Sequence, residues 1–181
     1  MSDFEGFLRS LILALCILAI PAYSTQYHKP VTQPFAPSLE ERHKAHKVLC
    51  EHQKPCKALA EAVYFEARGE QFTGQVAVAH TILNRVKHKA WPNTVSGVIY
   101  QRCQFSYNCD GSKDRGVQNE DAWGVAKLVA WGVLNDLYFD PTSGADHYLE
   151  PNKVSEMPRW TKVYPLVATI GNHKFYKRGE L

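Results

Sequence analysis

From residue 55 onward the apolar positions repeat with the period of an α-helix. Cys56, Leu59 and Val63 fall at i, i+3 and i+7, with Ala62 beside them, and Glu66 closes the same stripe at i+10. Pro55 suits a first helical turn and Gly69 a C′ position, so a helix is predicted to end before Gly69. Glu61 lies well around the cylinder from the stripe and is expected to face water. A second helix over 74–88, capped by Thr73, carries Val76, Ala79, Leu83 and Val86 on one face until Trp91-Pro92 stops it. Residues 93–101 read as a short helix, and 101–111 as a polar, aromatic loop or irregular hairpin closing on Asp110-Gly111. Helical spacing returns over 121–137, with Asn119 as cap and Ala122, Val125, Val129 and Val133 near one face. The pattern then changes, and 163–177 reads as two short strands around Gly171-Asn172. Upstream, Ser38 and Glu41 form a capping box for a polar helix reaching Leu49. The fold class is mostly α (α+β), a helical domain with a small antiparallel β element near the C-terminus.

The first residues differ from the rest. An unbroken apolar run over 11–20 precedes Pro21 and the small-residue pattern Ala22-Tyr23-Ser24. That run is short for a bilayer span and reads as a signal peptide over 1–24, or an N-terminal membrane segment if uncut, although Asp3 and Glu5 are unusual before an export signal. A proline-rich linker over 25–37 then leads to a domain over 38–181. This implies export to the periplasm or the extracellular cell wall, with transient membrane contact through the N-terminal segment. Removal of 1–24 would leave four cysteines, Cys50, Cys56, Cys103 and Cys109, in a compartment where disulfides form. Local closure, Cys50 with Cys56 and Cys103 with Cys109, is the expected pairing, with long-range pairing of the two segments as the alternative.

Composition narrows the class further. With 45% apolar and 22% charged residues in 181, the chain is a folded globular protein of one domain, expected to be a monomer. Its net charge of +3 is spread along the chain. Nucleic acid needs a clustered basic footprint and is not expected as a partner.

Chemistry centres on Glu66. A carboxyl in the last turn of a core-facing helix is partly desolvated, which raises its pKa, and a carboxylic acid still protonated near neutral pH can protonate a leaving oxygen. The alternative is a structural role, in an ion pair with Arg68 or Arg85 or accepting hydrogen bonds from a nearby helix start. Glu70 is a possible second carboxylate, or a substrate-orienting or structural anion that holds Arg68 or Arg85. His80, His147 and His173 are far apart and form no metal-ligand motif, so no metal or cofactor is expected. Phe105, Tyr107, Tyr148, Trp160 and Tyr164, all in irregular segments, are candidates for stacking on sugar rings.

The run AEAVYFEARGEQFTGQVAVAHTILNRV, followed by WPNTVSGVIYQ, QFSY, DG, GADHYLEP, PRWTK and IGNHKFY, resembles the cell-wall hydrolases typified by the spore cortex-lytic enzymes of the SleB/CwlJ type. The resemblance covers about residues 56–177. It implies a lysozyme-like, mostly helical catalytic domain that cuts peptidoglycan glycan strands, in one branch as a lytic transglycosylase with a single acid. That acid matches Glu66, with Glu70 in reserve, and Gln104, Phe105, His147 and Tyr148 fall in motifs expected to bind substrate. Two rivals stand beside it: a zinc-dependent amidase using His80, His147 or His173, and a non-catalytic wall-binding protein.

Overall fold

The computed structural model describes residues 50–179, together with Ser38 and Glu40. The signal, the linker and nearly all of the capping-box helix lie outside the described residues. Among the described residues no helix is long and apolar enough to cross a membrane.

Helix α1 (Lys54–Ala67) runs through the middle of the domain and packs against α2 (Phe72–Lys87), α3 (Val95–Ile99) and, most extensively, α4 (Glu120–Leu134). Its burial extends beyond the expected stripe to Ala58, Ala60 and Tyr64, as suits a helix enclosed on several sides. Pro55 sits in the first turn as expected. Gly69 does not act as a left-handed C′ residue; Arg68 continues in helical geometry, and Glu70 N donates to Ala67 O at 2.9 Å. Glu61 is also not free in water. It accepts from the Tyr100 hydroxyl at 3.0 Å and pairs with Lys113 at 2.9 Å.

Helix α2 begins earlier than expected, because Phe72 is drawn into the core edge-on to Tyr138, and the cap falls to Gln71 instead of Thr73. Thr94 caps α3 by accepting from Gly97 N. Asn119 caps α4 as expected, accepting from Ala122 N, but α4 ends at Leu134, where Asp136 turns left-handed (φ 55°). The Tyr64 hydroxyl accepts from both Gln118 N and Asn119 N, at 2.9 and 3.0 Å, tying the start of α4 to the central helix.

Strands β1 (His147–Leu149), β2 (Leu166–Ile170) and β3 (His173–Tyr176) form an antiparallel sheet in the order β1-β3-β2. The expected hairpin is β2–β3, turning at Gly171, whose φ of 58° favours glycine. Strand β1 was not expected; it pairs with β3 so that Tyr148 lies opposite Phe175. Phe175 fills a second small core with Ala67, Ala77, Val78 and Ala145. This core fixes the sheet against the C-terminal end of α1, where Glu66 stands.

The four cysteines pair locally, Cys50 with Cys56 and Cys103 with Cys109, as expected. The segment between α3 and α4 forms no hairpin, only a single 3₁₀ turn at Ser106–Asn108. Arg102 and Cys103 both adopt left-handed backbone (φ 42° and 52°), which costs an L-residue about 1–2 kcal/mol. The Cys103–Cys109 bond closes the loop around this strained pair.

Candidate active site

A cleft of about 430 Å³ opens between the end of α1, the 104–118 segment and the stretch following β1. Glu66 projects into it from the last turn of α1. Among the described residues its hydrogen-bond partner is the Tyr148 hydroxyl, which donates to Oε2 at 3.3 Å. Burial pushes the Glu66 carboxyl above the ordinary glutamate range, and nearby Asp110 adds to the rise; the Tyr148 bond, Lys153 and Arg85 pull the other way without cancelling it. The result is a carboxyl whose proton is held more tightly than an ordinary glutamate's, facing an open groove.

Neither expected ion pair forms. Arg68 folds back on its own helix, donating to Tyr64 O at 3.4 Å with its guanidinium 5.0 Å from the Tyr64 ring centroid. Arg85 is buried, donates from Nε to Asp146 O at 2.6 Å, and lies 4.6 Å from the Trp91 ring centroid. Among the described residues Glu66 therefore forms no ion pair with either arginine, and the hydrogen bond it accepts comes from Tyr148, not from a helix start.

Glu70 is engaged elsewhere. Its carboxylate accepts from Asn172 N at 3.2 Å and from Asn172 Nδ2 at 2.9 Å, and lies 3.6 Å from His173 Nδ1. It clasps the β2–β3 turn, holds neither Arg68 nor Arg85, and is not among the residues lining the cleft. A Cβ at position 171 would run into this carboxylate, so the turn needs glycine for space as well as for φ. Glu70→Ala is expected to lower stability by about 0.5–1.5 kcal/mol in chemical denaturation, the net worth of its hydrogen bonds to the exposed Asn172, with a smaller effect on turnover than loss of Glu66.

The remaining expected site residues divide. Gln104 and Tyr148 line the cleft, Gln104 at its exposed rim and Tyr148 on Glu66. Phe105 also lines it but is 2% exposed and packs under the Arg85 guanidinium, so it is floor and not an open stacking face. His147 does not line the cleft. It bonds Asp146 Oδ1 through Nδ1 at 2.8 Å, on the other side of β1 from Tyr148, among Trp91, Trp160 and Tyr164. Trp160 and Tyr164 stack on each other there and are not sugar platforms of this cleft. Tyr107 is buried and stacked on Phe65 at 4.6 Å between ring centroids.

The three histidines do not converge. His80 Nε2 bonds Tyr138 O at 2.9 Å, His147 bonds Asp146, and His173 stands by Glu70. Among the described residues no three His, Cys, Asp or Glu side chains are grouped to hold a metal ion. Sequence reasoning missed Lys153 and Asp110 as charges acting on Glu66, and no local pattern marks them.

A family model described as cell wall hydrolase matches residues 69–176. The chain belongs to the cell wall hydrolase family. This family member is 40% identical over 125 residues to a spore cortex-lytic enzyme of Bacillus cereus, covering 69% of this chain and 45% of that protein. It is 36% identical over 119 residues to the spore cortex-lytic enzyme of Bacillus subtilis, covering 66% and 36%. The chain thus spans less than half the length of these curated relatives. Among solved structures it is similar to the catalytic domain of the germination-specific lytic transglycosylase SleB from Bacillus anthracis, with a TM-score of 0.59 and 38% identity, covering 71% of this chain and 98% of that one. The SleB catalytic domain from Bacillus cereus gives 0.55 and 37%, covering 69% and 91%. The mostly helical, lysozyme-like architecture implied by the motifs is shared with these domains.

Proposed function

We propose that this chain cuts the glycan strands of peptidoglycan between N-acetylmuramic acid and N-acetylglucosamine, as a lytic transglycosylase with Glu66 as its single acid and base. The observation that carries the reading is the setting of Glu66: half-buried, with its pKa raised by that burial, open to a groove, and bonded among the described residues to Tyr148. The names borne by its relatives, spore cortex-lytic enzyme and germination-specific lytic transglycosylase, support the same reaction class.

In the first step the Glu66 proton passes to the glycosidic oxygen, the bond from the muramic anomeric carbon to that oxygen breaks, and N-acetylglucosamine leaves with a free hydroxyl. The Glu66 carboxylate then takes the proton of the muramic 6-hydroxyl, whose oxygen bonds the anomeric carbon and closes a 1,6-anhydro ring. Glu66 ends protonated, ready for the next turnover. A second carboxylate is not needed, which agrees with the engagement of Glu70 in the hairpin turn. Lys153 and Arg85, which favour the ionised form of Glu66, steady the carboxylate between the two steps.

Mass spectrometry of peptidoglycan digested by residues 25–181 tests the reaction. Anhydro-muramic ends are expected; reducing ends would mean ordinary hydrolysis, and free peptides released from intact glycan would mean an amidase. The pH profile follows from the protonation state. Because Glu66 works in its acid form and its pKa is raised, kcat/KM is expected to fall on an alkaline limb displaced above the position of an ordinary glutamate. An alkaline limb at the position of an ordinary glutamate would contradict this.

The cell wall is the place of action under this reading. Residues 1–24 serve for export, with passing membrane contact, and the domain works as a monomer.

A further inference from the structure

His173 is a buried titratable group that the cutting steps leave unused. It lines the cleft edge-on to Tyr148, with ring centroids 5.3 Å apart. Tyr148 in turn donates to Glu66, so His173 stands one side chain removed from the acid. Its two ring nitrogens differ. Nδ1 is shut off from solvent without a hydrogen bond and lies 3.6 Å from Glu70 Oε1. Nε2 is neither enclosed in that way nor bonded among the described residues, so it is the nitrogen open to the cleft.

The position of the ring proton follows from the surroundings. Burial pushes the His173 imidazole below the ordinary histidine range; Glu70 and Glu150 pull the other way without cancelling this, and Lys153 adds to it. The ring is therefore neutral at neutral pH, with one N–H and one lone pair. Both Glu70 oxygens accept from Asn172, one from its backbone N–H and the other from its side-chain amide, so what Glu70 turns toward Nδ1 is an acceptor. That draws the proton to Nδ1, because a nitrogen lone pair aimed at a carboxylate is repelled. Glu70 does not itself line the cleft and reaches it only through His173. Phe175 also packs against the imidazole, centroids 6.1 Å apart, and helps to fix its plane.

We infer that Glu70 and His173 form a dyad that keeps the imidazole proton on Nδ1 and offers Nε2 to the cleft as the acceptor for a hydroxyl group of the bound glycan. The group it takes is a neutral hydrogen-bond donor. A sugar hydroxyl fits, whereas an ether oxygen or a carboxylate brings only acceptors to a nitrogen that has no proton to give. Glu70 thereby shares in substrate binding, through His173, besides clasping the turn. The inference rests on the glycan-cutting reading of the cleft and adds a binding residue that takes no part in proton transfer.

Heteronuclear NMR of the full chain, isotopically labelled at histidine, reads the tautomer at neutral pH, the His173 signals being those absent from His173→Asn. Nδ1 is expected as the protonated, pyrrole-type nitrogen and Nε2 as the pyridine-type one, with this bias lost in Glu70→Ala. The opposite tautomer, an imidazolium, or a tautomer unmoved in Glu70→Ala overturns the dyad. Kinetics on soluble glycan strands read the acceptor. Asparagine reproduces the Nδ1 donor toward Glu70 and leaves nothing at the Nε2 position, which glutamine can reach with its carbonyl. His173→Asn is expected to raise KM roughly three- to tenfold, the worth of one hydrogen bond, with kcat little changed, and His173→Gln to recover most of that loss. A histidine that serves only to hold the turn gives the reverse order, asparagine working and glutamine failing, and that order overturns the inference. Should neither variant fold, the tautomer decides. A native chain that cuts no glycan overturns the reading of the cleft and the inferred ligand with it, whereas native cutting with an unchanged KM in His173→Asn overturns the inference alone.

Discussion

The Glu66→Gln protein is expected to release soluble glycan fragments from peptidoglycan ~10²–10⁴-fold more slowly than the native chain, the range lost with a general acid. Glutamine keeps the size of the side chain and can still accept from the Tyr148 hydroxyl, so the cleft keeps its shape. Near-native digestion by this variant would remove Glu66 from the mechanism. The same substitution makes a second, opposite expectation for stability. Glu66 has a folded pKa above its unfolded value, so its contribution is fully present below the unfolded pKa and is lost as pH rises through the folded one. At neutral pH the native protein therefore carries a cost that the amide does not, and Glu66→Gln should melt at a higher temperature there, with the difference vanishing in acid. Lower activity with higher stability is the signature of a group kept for chemistry.

Phe175→Ala is expected to cost about 3–5 kcal/mol in denaturant unfolding, the range for deleting a buried aromatic side chain. Phe175 is fully buried, fills the small core under the sheet, and lies across the strand pair from Tyr148 with ring centroids 5.9 Å apart. Without it β1 loses its support, and the Tyr148 hydroxyl loses its fixed approach to Glu66. Turnover by the fraction that remains folded should fall as well. A variant as stable as the native chain would show that the sheet is held by its hydrogen-bonded ladder and not by this core.

How much of this was legible beforehand depends on how far apart in sequence the partners lie. Helices α1 and α2 were readable because Leu59, Val63, Val76 and Ala79 repeat at helical spacing, and Glu66 could be singled out because it breaks that repeat with a carboxyl. The start of α2 was misplaced because a tertiary contact, Phe72 against Tyr138, outweighed the capping preference of Thr73. Strand β1 escaped notice because three residues are too few to show alternation, and its partner strand begins 24 residues after β1 ends. The engagement of Glu70 was hidden because its partner, Asn172, is 102 residues away. Arg85 was seen only as a possible counter-ion; its burial comes from Asp146, Trp91 and Phe105, none of which helical spacing connects to it. His147 sits in a motif beside Tyr148, but adjacent strand residues point to opposite faces, and only one of the two reaches the cleft.

The bond between Cys103 and Cys109 braces the segment that supplies Gln104, Phe105, Tyr107 and Asp110, so one side of the groove depends on a covalent tie. Closing so short a loop is worth about 2 kcal/mol, comparable to the cost of the left-handed pair beside it. Reduction of this bond would leave the helices assembled around a slack wall.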